Sequence, residues 1–424
     1  MAHILVLTLV FPPDNVSTAV ILGELSADLK AAGHDVTAVT TVPHYNRDSD
    51  AETRQPLVRM WGSLLSRSEF QGIRVLHVGM PRKSGRVFSR LLAWSQFHLL
   101  SLIAAVALVR RVDVILAPSP PLTIGLCAWL LACVYRAPYI YNVQELYPDI
   151  AIALGVLKSR WAVTLLVALE RFVYARAQVV TVIAPAMRRR ILEKGLPEHK
   201  VRLIPNFVDV HDMVPLPRAN GFGHEHGIDE AFVVSYAGNM GPAQGLETVL
   251  EAASLLSHEP GIVFLLVGDG SSRSGLMAMA QDRGLSNVLF LSYQAYGSVP
   301  QIYAASDVCL VSLATNTGCD AIPSKVYRIM ACGRPVLACV DANSDLAELV
   351  RSTGCGTVVQ PGSPEALARA VSDAKRNPSS RAAMGQSGRA HVVTHYGRGL
   401  ISAQYDSLVR EVARASRGPV QMHG

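Results

Sequence analysis

The sequence predicts an α/β protein built from two doubly wound parallel-sheet domains. Three observations carry that prediction. The chain has 424 residues, too many for one hydrophobic core of ordinary size. In both halves, short apolar runs alternate with longer stretches of helical periodicity, the pattern of a parallel sheet wound by crossover helices. Between the halves lies Pro215-Leu216-Pro217-Arg218-Ala219-Asn220-Gly221-Phe222-Gly223, a Pro- and Gly-rich linker.

The elements follow in order. Ile4 to Val10 reads as a buried strand, Thr18 to Ala32 as an amphipathic helix and Val36 to Thr41 as the next strand. Val114 to Ala117, Tyr139 to Val143 and Val179 to Ala184 read as further strands, with helices at Leu122 to Tyr135 and Ala162 to Arg176. After the linker the scheme repeats. Phe232 to Ala237, Val263 to Val267, Val288 to Leu291 and Val308 to Ser312 are strands, and Gly245 to Leu256 is a helix. The predicted domains are 1–212, joined by a returning helix in 397–424, and 213–396. Ligands of open parallel sheets bind beyond the carboxyl ends of the strands, so two such sheets are expected to share a site in a cleft.

The most informative stretch is Ile322-Pro323-Ser324-Lys325-Val326-Tyr327-Arg328-Ile329-Met330-Ala331-Cys332-Gly333-Arg334-Pro335. Pro323 and Ser324 signal a helix start, Gly333 a stop, and Pro335 follows the stop. Val326, Ile329 and Met330 share the buried face. Lys325 and Arg328 lie three apart on a neighbouring face. Two cations near the positive end of a helix are unfavourable unless an anion joins them; a solvated helix face is the plain alternative.

The chain carries 39 Lys and Arg against 33 Asp and Glu, a net charge of +6. Its mean hydropathy is +0.26. The basic balance implies an anionic partner. No nucleic-acid motif appears and the cations are not interleaved with aromatics, which leaves phosphorylated ligands and membrane surfaces. The seven cysteines include no Cys-x-x-Cys and fall mostly in apolar runs, as expected for reduced thiols in the cytoplasm. Met1 to Val10 lacks a basic leader region and reads as the first strand, not a signal peptide. Leu91 to Val109 has no Asp, Glu, Lys or Arg; Arg82, Lys83, Arg86 and Arg90 precede it and Arg110 and Arg111 follow. Length alone permits a membrane span. Ser95, Gln96, His98 and Ser101 interrupt it, so residues 82–111 read instead as a helix of the first domain with one lipid-facing side.

Several short motifs run in one order along the chain: Phe11-Pro12-Pro13-Asp14, Gly33-His34-Asp35-Val36-Thr37, Gln144-Glu145-Leu146-Tyr147-Pro148-Asp149, Ile204-Pro205-Asn206-Phe207-Val208-Asp209, Tyr236-Ala237-Gly238-Asn239-Met240-Gly241, Val267-Gly268-Asp269-Gly270 and the stretch from Ile322. Together they resemble retaining glycosyltransferase family 4, within it the colanic acid and O-antigen type. The resemblance implies the two-domain GT-B fold. It implies transfer of a sugar from a nucleotide-diphosphate donor, expected to be a UDP-sugar, to a lipid-linked saccharide in surface-polysaccharide assembly. With the apolar run and its basic flanks, it leads to the expectation of peripheral attachment to the cytoplasmic membrane face through 82–111, and no metal or cofactor is expected. A nucleotide-sugar 2-epimerase and a non-catalytic sugar-nucleotide binding protein share the fold and are the alternatives.

The resemblance also distributes roles. Gly238, Asn239, Gly241 and Gln244 occupy the diphosphate turn, but the family's usual Arg and Lys there are Asn239 and Gln244 in this chain. Charge is then expected from Lys325, Arg328 and Arg273, with Ser324 beside them. Where the family carries two glutamates eight positions apart, this chain has Asp320 and Arg328. Arg accepts no hydrogen bond, so the usual ribose clamp is missing. Gln294 is placed near the base. Glu145 and Asp149, just past a strand's carboxyl end, are the expected catalytic carboxylates; helix capping is their alternative role. Asn15, Val16, Ser17 and His44 form a candidate acceptor or phosphate loop. The usual histidine near the third strand is absent from Pro118-Ser119-Pro120-Pro121. Asp48-Ser49-Asp50 spells the metal motif of the other major glycosyltransferase fold, but no strand leads into it, and no metal role is expected.

Overall fold

A computed structural model describes residues 1–44, 49–80, 87–153, 155–315 and 322–416; the side chains of 49, 87–92 and 416 lie outside that description. The chain divides into two compact units, Met1–Pro205 with Gly399–Gly424, and Asn206–Arg398. The division precedes the Pro/Gly linker because the Asn206 to Asp209 segment is held by the second unit. Asp209 pairs with Arg398 at 2.9 Å, and Val208 bridges Gly397.

Among the described residues the first unit contains nine strands: β1 His3–Leu7, β2 Asp35–Thr41, β3 Val58–Arg59, β4 Leu65–Phe70, β5 Ile73–Val78, β6 Val114–Pro118, β7 Tyr139–Val143, β8 Val179–Val182 and β9 Val201–Leu203. They form one sheet in the order β3-β4-β5-β2-β1-β6-β7-β8-β9. From β5 to β9 all pairs are parallel, and β3-β4 and β4-β5 are antiparallel. The order reverses at β1, which places a topological switch point between β1 and β6. Central strands β1, β6 and β7 are almost wholly buried, as a sheet covered on both faces requires. The helix Arg398–Ser416 packs on this unit. Ser402 Oγ donates to Asp28 at 2.6 Å, His34 Nε2 meets Asp406 at 2.7 Å, and Arg410 donates to the Ala32 carbonyl at 2.9 Å. His34 and Asp35 of the Gly33 motif thus serve the fold.

Among its described residues the second unit holds six parallel strands: β10 Phe232–Ala237, β11 Ile262–Val267, β12 Val288–Leu291, β13 Val308–Ser312, β14 Val336–Cys339 and β15 Gly356–Val359. Their order is β12-β11-β10-β13-β14-β15, with the reversal between β10 and β13. Its core unites Tyr236, Val249, Leu250, Phe264, Leu266, Leu310, Leu337 and Leu367. Among the described residues, no helix is long and apolar enough to cross a membrane. Cys127, Cys309, Cys332, Cys339 and Cys355 are buried free thiols.

Candidate functional site

The second unit places Gly238, Asn239, Gly241 and Gln244 after β10, Arg273 after β11 and Gln294 after β12, all beyond the carboxyl ends of parallel strands, with Lys325 beside the Gly238 turn. After β10 the backbone turns sharply at Gly238, with φ +146°. After β11 it turns at Gly268, with φ +139°, and a Cβ there would collide with the Gly238 carbonyl. Glycine at 268 is therefore what lets the two strand-end loops touch. The loops are joined by bonds from Met240 N to Asp269 O (2.8 Å) and from Ser272 N to Met240 O (2.9 Å).

Asn239, Gly241 and Gln244 form one braced turn. Gln244 Oε1 accepts from the Gly241 amide at 2.9 Å, and the Asn239 amide lies 3.5 Å from it. Where the family carries a Lys, this chain thus has a side chain that holds the turn. Tyr236, the penultimate residue of β10, donates its hydroxyl to the Asn239 carbonyl at 2.5 Å. Its ring is then presented to Lys325.

Lys325 opens its helix and places Nζ 3.8 Å from the centre of the Tyr236 ring. A Cβ on Gly238 would stand only 2.8 Å from that nitrogen. Among the described residues no carboxylate pairs with it. Burial, and after it the charge of Arg328, pull its pKa down to about 7. Arg328, one turn on, lies 5.1 Å from the Tyr296 ring centre. The helix stops as the sequence signals: Gly333 takes φ +65° and its amide bonds the Met330 carbonyl. Arg273 heads the helix Arg273–Asp282, and its Nε is enclosed with no hydrogen-bond partner among the described residues. Gln294 follows β12 and donates to the Ser292 carbonyl at 3.3 Å. Ser324 precedes Lys325 as the helix cap position, without a side-chain cap bond. Asp320 lies outside the described residues. The result is a turn of glycine backbone beside two cations, Lys325 and Arg328, each facing a tyrosine ring.

In the first unit, Glu145 follows β7. It is open to solvent yet walled by protein, and that loss of water raises its carboxyl above the usual value. Asp149 is engaged elsewhere. It begins the helix Asp149–Ala153, and Lys194 Nζ grips it at 2.9 Å while also bonding buried Glu170 at 2.7 Å. Lys194 escaped the sequence reading because it lies on a turn far along the chain, with no local pattern to mark it. Asn15 is buried, and Val16 occupies the cap position of the helix Ser17–Ala31. The His44 amide donates to Asp14 at 2.9 Å, and its ring meets Thr41 Oγ1 at 2.9 Å, so His44 ties the β1 loop to the end of β2. Asp48 lies outside the described residues. Asp50 falls in the helix Ser49–Arg54, and no cluster of three metal-binding side chains occurs among the described residues.

Comparison with known proteins matches both units. Residues 18–206 match the family described as glycosyl transferase 4-like domain, and residues 224–391 match glycosyl transferases group 1. The colanic acid biosynthesis glycosyl transferase WcaI of Escherichia coli is 27% identical over 88% of this chain and 91% of its own length. Glycosyltransferase WbjE of Pseudomonas aeruginosa is 27% identical over 69% of this chain and 74% of its own. Among solved structures, sucrose-phosphate synthase from Thermosynechococcus elongatus aligns over 98% of this chain and all of its own, with TM-score 0.75 and 18% identity. HepE from Anabaena, solved with UDP-glucose, aligns over 97% of this chain and all of its own, with TM-score 0.71 and 18% identity.

Proposed function

The chain belongs to the glycosyltransferases, with a 4-like first domain and a group 1 second domain in the GT-B fold, and from that premise we propose that it transfers a sugar from a UDP-sugar to a lipid-linked saccharide during surface-polysaccharide assembly. One observation carries the donor half of this reading. A half-buried ammonium, Lys325, faces a glycine turn and a tyrosine ring with no carboxylate beside it among the described residues. A cation held out of water at such a cost is favoured when an anion completes its site. A diphosphate fits: glycine backbone allows its close approach, and Lys325, Arg328 and Arg273 supply the charge. The UDP complexes of HepE and the colanic acid pathway in WcaI's name support the nucleotide and the pathway class.

The chemistry follows from that placement. The bond from the anomeric carbon to the β-phosphate oxygen breaks, and the acceptor oxygen bonds to the same face of that carbon. The acceptor proton passes to the departing phosphate. Lys325 stabilises the charge that develops there, the kind of preorganised electrostatic contribution that dominates many enzymes. Glu145 orients the acceptor hydroxyl, and Asp149, through Lys194, holds the segment that bears Glu145. Side-chain cations carry the leaving-group charge in this scheme, so chelation of metals is expected to leave the rate unchanged.

The pH dependence of UDP affinity tests the reading. A bound diphosphate favours the ammonium, so its pKa rises in the complex and binding takes up a proton. Affinity should be complete below about pH 7, where Lys325 is already charged, and should fall above it by up to about tenfold per pH unit. Lys325→Arg keeps a charge throughout and should remove the fall. Calorimetric titration with UDP, and with GDP to test the base, measures this. A wild-type affinity that stays flat as pH rises through 7 and beyond would count against Lys325 as the phosphate ligand.

A further inference from the structure

We propose that the helices Ile124–Tyr135 and Arg160–Arg176 form, with Val87–Leu108, one face that lies against an anionic lipid bilayer. The proposal rests on the membrane attachment expected of residues 82–111 and extends it to two further helices. Arg82, Lys83 and Arg86 lie outside the described residues, as does the side chain of Arg90, so the observations that follow are independent of them.

The topology puts the three helices side by side. β5, β6, β7 and β8 are parallel, and the chain steps from β5 to β6, to β7 and to β8 in one direction across the sheet. Right-handed crossovers then place all three connecting helices on the same side of the sheet. The contacts agree. Tyr135 donates to the Ala105 and Val109 carbonyls at 2.7 and 2.9 Å, and Trp129 packs edge-on against Phe172 at 4.9 Å.

The outward surface of these helices is apolar. Leu99, Val106, Val134, Trp161 and Leu165 are exposed by 60, 51, 58, 73 and 59%. A single exposed leucine means little, but large apolar residues exposed on each of three adjacent helices mark an interaction surface. Leu99 and Val106 lie seven apart and Trp161 and Leu165 four apart. Each pair therefore projects from one side of its helix.

Charge selects the occupant. Residues 87–112, 114–144 and 150–169 contain no Asp or Glu. Arg110, Arg136 and Arg176 stand exposed where the three helices end, and Lys158 and Arg160 where the third begins. A second copy of this chain docked two-fold on this face would bring those cations together with no acid to answer them. An anionic lipid surface complements them, and accepts the leucine, valine and tryptophan side chains at its acyl boundary.

Flotation with phosphatidylcholine vesicles, with and without phosphatidylglycerol, provides the test. The wild type should float with the anionic vesicles and lose that binding as salt rises. Val134→Glu, Trp161→Glu and Leu165→Glu combined should weaken it by at least about tenfold. These positions are at the surface of the first unit, and the donor turn belongs to the second, so unchanged UDP affinity checks that the variant is folded and leaves the donor reading separately testable. Equal flotation of wild type and triple variant overturns the proposal, as does absence of wild-type binding. If Gln at 82, 83, 86 and 90 abolishes flotation and the triple variant does not, the attachment is confined to the first helix and the extended face is refuted. A dimer in sedimentation equilibrium that the triple variant dissolves would assign the face to a second copy, and would equally refute it.

Discussion

Lys325→Met should lower kcat/KM for transfer by about 10²–10³-fold, the scale of removing one preorganised donor from a developing oxyanion. The same substitution should stabilise the ligand-free protein. Methionine keeps the length and apolar body that pack on Tyr236 and removes a cation whose proton is held only weakly. The sign of the stability effect follows from linkage. An unfolded lysine keeps its proton to about pH 10.4, and the folded one releases it near 7. Between those values the unfolded chain binds more protons, so wild-type stability rises with pH. The gain from Lys325→Met is therefore largest below pH 7, on the order of 1–3 kcal/mol for an imperfectly solvated polar group, and shrinks above it. Thermal melts of the two proteins on either side of pH 7, beside their transfer rates, measure both effects. A lysine that serves only the fold would show the opposite pairing, with lost stability and retained transfer.

Glu145→Gln should slow transfer by about 10²-fold or more, as is typical of a positioned acid or base, with UDP affinity unchanged. Asp149→Asn should behave differently. Its carboxylate is one of two that hold Lys194, and Glu170 is the other. Loss of one charge from that buried group should appear mainly as a lower melting temperature. Single-turnover transfer rates and melts of the two variants separate the roles. Wild-type transfer by Glu145→Gln would remove Glu145 from the acceptor side.

Most of the central parallel strands were legible because each is a short apolar run closed by turn residues; Ile73–Val78, Val201–Leu203 and Gly356–Val359, which also pair in parallel, were not. Tyr139–Val143, Phe232–Ala237, Val288–Leu291 and Val308–Ser312 fall where the sequence puts them. The antiparallel edge was not legible. Leu65–Phe70 is half polar, and its pairing with Ile73–Val78 turns on Gln71 and Gly72, both with positive φ. Only that Gln-Gly step marked the hairpin. In the donor turn, Lys325 and Arg328 could be found from helix spacing. The aromatic rings beneath them, Tyr236 and Tyr296, could not, because they come from other strand ends. Gln244 was read as a donor contact from its position, yet its amide braces Gly241. Position in a motif fixes a residue's place, and only its hydrogen bonds show what it holds there.

Comparing UDP with UMP by isothermal titration on the wild type and Lys325→Met tests the central claim most directly, since the two nucleotides differ only in the β-phosphate that Lys325 is held to bind. The wild type should bind UDP at least about tenfold more tightly than UMP, as one charge-assisted contact requires, and Lys325→Met should lose most of that preference, keeping only what Arg328 and Arg273 supply. Equal affinity for UDP and UMP in the wild type, or a UDP preference undiminished in Lys325→Met, would contradict it.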